Sequence, residues 1–165
     1  MSVDVDYTLP SDGADIACFY DPIEGITDIK VGSGGSLATD DEMETAVLLS
    51  LLCNRRAGDS DKVPYGSTKR GGFWGDAIAT TPGDEWGSKL WLLDGKVTKV
   101  NLVLAGQYCR EALAWMIEDG VASSVYAQAE AIRLQNGTAG MAIRIVIKRD
   151  NVVLLSKKYQ YVWEQ

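Results

Sequence analysis

MAIRIVIKRDNVVLLSKKYQY, residues 141–161, begins with strict alternation: Met141, Ile143, Ile145 and Ile147 are interleaved with Ala142, Arg144, Val146 and Lys148. Successive side chains on a strand point to opposite faces, so this pattern predicts one buried and one largely wet face. Asp150-Asn151 tolerates the left-handed conformation of a tight turn and predicts a hairpin into a strand over Val152 to Tyr161. On the other side, Asn136-Gly137 predicts a second hairpin to a strand near Val125 to Leu134. Asn136-Gly137-Thr138 also matches a glycosylation sequon, but no secretory signal accompanies it, so the turn is the better reading. The chain after Gly120 is therefore expected to be an antiparallel meander.

Upstream, the period changes. Between Lys99 and Asp119, Val100, Val103, Leu104, Tyr108, Ala112, Trp115 and Met116 recur at helical spacing, and Gly120 stands where a left-handed cap would end the helix. An earlier helix is expected from about Asp40 to Asn54, because Thr39-Asp40-Asp41-Glu42 reads as a capping box. Met43, Val47 and Leu51 fall on one line of it, and Ala46, Leu48, Leu49 and Leu52 widen the stripe until most of the helix must be buried. A short strand through Ile16, Cys18 and Phe19 precedes the Asp21-Pro22 turn, and Gly32 to Gly35 break the chain. The expected fold is α+β, two main helices packed on the C-terminal meander. One domain over residues 1–165 is expected, with 1–13 as a loose arm.

Residues 56–86 hold many glycines and several charges, more than a bare connector needs. A short helix is expected around Ser88 to Leu93. Phe73, Trp74, Trp86 and Trp91 crowd this region together with Arg70, Gly71, Gly72, Gly75 and Gly87. Trp and Arg are enriched at interface hot spots, so a docking surface is one reading; the other is that the tryptophans staple the loop to the core. The candidate partner-contacting residues are Arg55, Arg56, Arg70, Phe73, Trp74 and Trp86. Arg55 and Arg56 also suit the negative end of the first helix dipole. Arg70 and Trp74 lie outside the periodic elements, so alanine at either is expected to spare the isolated fold.

Composition narrows the chemistry. Sixteen Lys+Arg against 23 Asp+Glu give a net charge of −7, which opposes general attraction to nucleic acid or anionic membranes. No window reaches the ~20 apolar residues of a membrane span, and the polar start carries no signal peptide pattern. Cys18, Cys53 and Cys109 are scattered and odd in number, as expected of free thiols made in a reducing cytoplasm. With no histidine in the chain, Ser-His-Asp, Cys-His and His-based zinc sites are excluded.

No cofactor or metal is expected. The glycines before the first helix lack a P-loop lysine, and Asp40, Asp41 and Glu42 would repel phosphate there. Asp59 and Asp61 resemble the first ligands of a calcium loop, which Pro64 and the missing final glutamate spoil. Asp76, Glu85, Glu111 and Glu118 are candidates for a glycosidase carboxylate pair, with Glu111 and Glu118 able to share a face of the second helix. Among 23 acids some such pair is expected by chance.

Four segments in order, DIACFYD (15–21), GSLATDDEMETAVLLSLLCNRRA (35–57), RGGFWGDAIATTPGDEWGSKLWLL (70–93) and YCREALAWMIEDGVASSVYAQAE (108–130), resemble the Mu-type phage baseplate family. The resemblance covers residues 14–163, and its most specific parts are Leu37 to Ala57, Arg70 to Asp76 and Gly87 to Leu93. That family is similar to the sheath-initiating wedge protein of T-even phages, whose fold has been labelled lysozyme-like. The resemblance implies a non-enzymatic subunit of a contractile tail baseplate, made in the host cytoplasm and located in the virion. It would join larger wedge proteins around the tube and hub, in six copies, and offer a sheet edge on which the tail sheath starts. The Glu-Pro-Arg motif of the T-even relatives is absent, Glu118-Asp119-Gly120-Val121 standing in its place, so contacts made through it do not transfer. The alternatives are a lysozyme-like glycoside hydrolase acting on cell wall and a soluble adaptor outside the virion.

Overall fold

A computed structural model describes residues 15–16, 18–21, 26–29, 39–40, 42–79, 85–93, 95–133, 137 and 139–161. The expected arm over 1–13, the glycine break at 32–35 and the capping box geometry of Thr39 to Glu42 lie outside the described residues or side chains. The fold is α+β. Strands β1 (Asp15–Ile16) and β4 (Thr39–Asp40) pair antiparallel, as do β2 (Cys18–Asp21) and β3 (Ile26–Ile29). Helix α1 runs Glu42–Leu52, then come α2 (Lys99–Ala112), α3 (Trp115–Glu118) and the strands β5 (Ser124–Arg133), β6 (Ala139–Arg149) and β7 (Val152–Tyr161).

The C-terminal strands form one antiparallel sheet in the order β5-β6-β7. Its inner face follows the alternation: Met141, Ile143, Ile145 and Ile147 are buried, and Ala127 opposite Ile145 and Leu155 opposite Ile147 are buried with them. The outer face is less wet than expected, because Ala142 on the central strand is fully covered between Glu130 and Gln160. Asp150 and Asn151 both take positive φ, 48° and 68°, the backbone of a tight hairpin turn whose twist matches the flanking strands. Between Ile147 and Lys148 the register shifts, leaving Leu154 as an extra residue in β7.

Helix α1 is buried almost all round, as its wide stripe predicts: Val47, Leu48 and Leu51 enter the core, and only Leu49 of the apolar set looks outward. Ser50, buried in the same helix, donates to the Ala46 carbonyl at 2.8 Å and accepts from Trp115 Nε1 at 3.1 Å, so its hydroxyl is satisfied. The single long helix expected over 99–119 is instead two. Ala114 N–H bonds to the Glu111 carbonyl and Met116 N–H to that of Leu113, three residues back, which tightens the turn and ends α2. In this arrangement Leu113 and Met116 are both fully buried, while Trp115 reaches Ser50. Gly120 has φ 70°, as its expected cap position requires.

The buried face of α2 also differs from the expected one. Val100 and Val103 are 66% and 70% exposed, whereas Ala105, Gly106, Cys109 and Ala112 are buried. Small side chains win because α2 lies close on β5: a Cβ at Gly106 would meet the Ala127 carbonyl oxygen at 3.3 Å. Thr98, which accepts from the Asn101 N–H at 3.1 Å, starts the helix.

These burials set an expected contrast in urea unfolding. Leu113→Ala should lose about 2–5 kcal/mol, the range for emptying a core leucine site. Val103→Ala should change stability by less than about 0.5 kcal/mol, as on an exposed helix face. Similar losses at both positions would mean that α2 is rotated from the face described.

A candidate docking surface

The long connection between α1 and α2 is held by backbone hydrogen bonds on both flanks of one segment. Ser88 N–H donates to the Cys53 carbonyl at 2.9 Å and Arg55 N–H to that of Ser88 at 3.0 Å; on the other flank Gly72 N–H donates to Asn54 at 3.2 Å and Ala57 N–H to Arg70 at 2.8 Å. Residues 53–57 thus lie between two segments, hydrogen-bonded to each, with Asn54 and Ser88 forming an isolated parallel bridge. Ser88 Oγ, buried, adds a bond to the Leu51 carbonyl, and Trp91 Nε1 one to that of Arg55 at 2.8 Å. Gly87, at φ 99°, lies so near Cys53 that a Cβ there would stand 2.3 Å from its carbonyl oxygen, well inside van der Waals contact. The expected short helix at 88–93 is a single 3-10 turn, Leu90–Leu92, with Leu90 and Leu93 in the core.

From this base the aromatic residues project. Asp76 closes the structure with one carboxylate: Oδ2 accepts from Phe73 N–H at 3.1 Å and Oδ1 from Trp86 N–H at 3.0 Å. The first bond caps the 3-10 turn Trp74–Ile78, and the second ties that turn to the segment leading into Gly87. The Phe73 ring centroid lies 5.2 Å from that of Trp74 and 6.0 Å from that of Trp86, separations at which tilted rings attract. Trp74 is nonetheless 75% exposed and Trp86 45%, with Ile78 of the same turn also outward. Of the four aromatic residues, only Trp91 staples the loop inward, its ring filling the space where a Cβ on Gly71 would come within 2.8 Å.

The candidate cations divide by role. Arg70 donates to the carbonyls of Gly58 at 2.5 Å and Asp59 at 3.4 Å, two bonds across the loop that Arg70→Ala would remove. Arg55 pairs with Glu85 at 3.1 Å. Arg56 packs its stem beneath Gly72 and has no hydrogen-bond or ion-pair partner among the described residues. Arg55, Arg56, Ala57, Asp59, Glu85 and Lys89 border an open groove of about 530 Å³. Lys89 is tied at 2.6 Å to Asp61, whose carboxyl it holds below the usual carboxylate range. That tie contributes above the unfolded carboxylate value and is lost as pH falls through the lower folded value.

Of the carboxylates considered for hydrolysis, Glu85 and Glu111 line the same groove, and three of the four are held by partners of their own. Asp76 is committed to two backbone amides and Glu85 to Arg55, Glu111 accepts from Gln107 at 2.8 Å, and the break after α2 takes Glu118 off the helix that carries Glu111. Burial pushes the Cys109 thiol up to about 12 and raises that of Cys53, with Asp76 adding to the latter. Neither is an activated nucleophile near neutral pH.

Outside its core, the α+β scaffold carries an exposed aromatic face whose backbone is held by Asp76. The chain is a member of the phage protein GP46 family, whose model matches residues 43–152. It is 38% identical over 121 residues to the baseplate protein gp46 of Escherichia phage Mu, covering 73% of this chain and 80% of that protein. It is 34% identical over 113 residues to the Mu-like prophage FluMu protein gp46 of Haemophilus influenzae, covering 68% and 73% respectively.

Two substitutions test the loop. Asp76→Ala frees two backbone amides and should cost about 1–3 kcal/mol in denaturant unfolding. Gly87→Ala forces a side chain into a left-handed position against a carbonyl and should cost more. Wild-type stability in both variants would show that the loop is not held as described.

Proposed function

We propose that the chain is a non-enzymatic structural subunit of a contractile phage tail baseplate wedge, and that it helps to start the tail sheath through the free edge of β7. A baseplate structural role is supported by the relationship to the Mu protein. The finer reading is carried by one observation, the difference between the two edges of the C-terminal sheet. On the β5 side α2 lies close to the strand at Ala127, whose carbonyl accepts from Arg110 Nη1 at 2.7 Å. On the β7 side no strand is paired among the described residues. An unpaired edge is a template for a strand from another chain, with main-chain bonds giving affinity.

The residues of β7 suit controlled pairing. Val152 and Val153 are exposed at its start, while Lys157 and Lys158 place charge further along, a common guard against indiscriminate edge association. Lys157 pairs with Glu44 of α1 and Lys158 with Glu130 of β5, so the edge is also fixed to the body behind it. The partners in this reading are larger wedge proteins, the tube and hub, and the first sheath ring, with six copies of the chain in the virion baseplate.

Electron microscopy of lysates from a phage with an early stop codon in this frame tests the role, with complementation as control. Heads without sheathed tails, or tails without baseplates, are expected; complete tails would reject a baseplate function. Val153→Asp then tests the edge. This exposed substitution should leave the chain in the baseplate and yield tubes lacking sheath, whereas normal sheaths would reject sheath initiation through β7.

A further inference from the structure

We propose that the outer face of the C-terminal sheet, at Tyr126, Arg144, Val146 and Lys148, docks the acidic amino-terminal region, residues 1–44, of a second copy of this chain. The inference rests on the baseplate reading, which brings copies of the chain together in one virion, and it uses neither the β7 edge nor the aromatic loop.

Alternation and pairing assign the face. Met141, Ile143, Ile145 and Ile147 fill the inner side of β6, so Arg144, Val146 and Lys148 lie on the other. Directly opposite residues share a face, which adds Tyr126 and Gln128 from β5 and Lys158 from β7. Tyr126 is 50% exposed, and its hydroxyl donates to Gln128. Glu130 is the only acid on the three strands. It pairs with Lys158, which holds its carboxyl below the usual range, with Arg144 adding to this at longer range. Lys157 is taken by Glu44 and Arg149 by the Val121 carbonyl. Arg144 and Lys148 are exposed and make no ion pair or side-chain hydrogen bond among the described residues. Like charges directly opposite weaken a sheet, yet Arg144 stands opposite Lys158. A carboxylate brought to Arg144 offsets that repulsion.

The chain itself supplies the complement. Residues 1–44 hold eleven Asp and Glu against one Lys, while residues 45–165 hold twelve against fifteen Lys and Arg. The net charge of −7 thus combines a strongly acidic region with a mildly basic body. Strands β1 and β2 lie against α1, whose Val47 and Leu51 share the core with the inner side of the sheet. The described strands of the acidic region therefore join the body on the side away from Arg144 and Lys148, which favours contact between copies over contact within one. Unlike surfaces of identical chains make a heterologous contact, which builds a ring when its rotation closes.

A photoreactive phenylalanine analogue in place of Tyr126 tests the contact, with exposed Val103 of α2 as the control position. Phage complemented in the same cells with this chain and with a wild-type chain bearing a carboxyl-terminal tag yield mixed tails. After irradiation of purified tails, mass spectrometry should find position 126, and not position 103, attached to residues 1–44 of the tagged chain. Arg144→Glu with Lys148→Glu should lower the attachment more than about tenfold, and lysine at the acids nearest the attachment point should restore it. Arg144→Gln with Lys148→Gln should lower it less. Attachment to another protein, attachment only within one copy, or no attachment would overturn the inference. So would indifference to the charge reversal, or a loss that the lysine changes do not restore. Tails that contain the chain unattached at position 126 defeat only this contact; tails that lack even the wild-type chain defeat the baseplate reading with it.

Discussion

The backbone of Cys53 to Ala57 is hydrogen-bonded on both flanks, to Gly72 and Arg70 on one side and to Ser88 on the other, and the outer half of the molecule depends on it. Leading directly out of α1, it transmits the position of a buried helix to a loop with little core of its own. The connection works at close range, which is why Gly87 and Gly71 stand where carbonyls and the Trp91 ring leave no room for a Cβ. A loop held this way can carry exposed tryptophans without collapsing onto them, because its own polar backbone groups already have partners.

The core beneath follows from a second constraint, close approach between α2 and β5. Ala127 on the strand is buried, and Gly106 on the helix lies so close to its carbonyl that a Cβ there would stand 3.3 Å away, so the two backbones come near enough for Arg110 to reach the same carbonyl. The bulky residues sit deeper: Leu113 and Met116 after the helix break, and Met141, Ile145 and Ile147 on the central strand, are fully buried. Each such side chain contributes roughly 1.5–3 kcal/mol by leaving water. The small-residue seam thus decides the helix position, and the large residues supply most of the stabilisation.

The sequence was informative where periodicity and turn chemistry were local. Alternation in β6, the Asp150-Asn151 turn and the burial of α1 could be read directly, because each depends on neighbouring residues in one element. The face of α2 could not. Size ranked Val100 and Val103 as core candidates, but the close approach of Gly106 to Ala127 is a pairwise property of two residues 21 positions apart. The candidate docking residues were found by type and crowding, yet their division was hidden: only the folded backbone turns Arg70 onto two carbonyls, commits Arg55 to Glu85 and leaves Arg56 facing a groove. Asp76 was weighed only as a possible acid, and its role as the tie between residues 73 and 86 had no signal beyond its spacing in the Phe73 to Asp76 turn.

Among the described residues, the unpaired edge of β7 and the exposed aromatic face are surfaces with different physics. The strand addition proposed at β7 draws on backbone groups that every chain has, so its selectivity comes from what flanks them, and Lys157 and Lys158 stand there in ion pairs with Glu44 and Glu130. The aromatic face draws on side chains, whose fit discriminates strongly but tolerates little movement. On the β5 side Arg110 already occupies the Ala127 carbonyl, so the two edges of the sheet do not offer the same set of backbone groups.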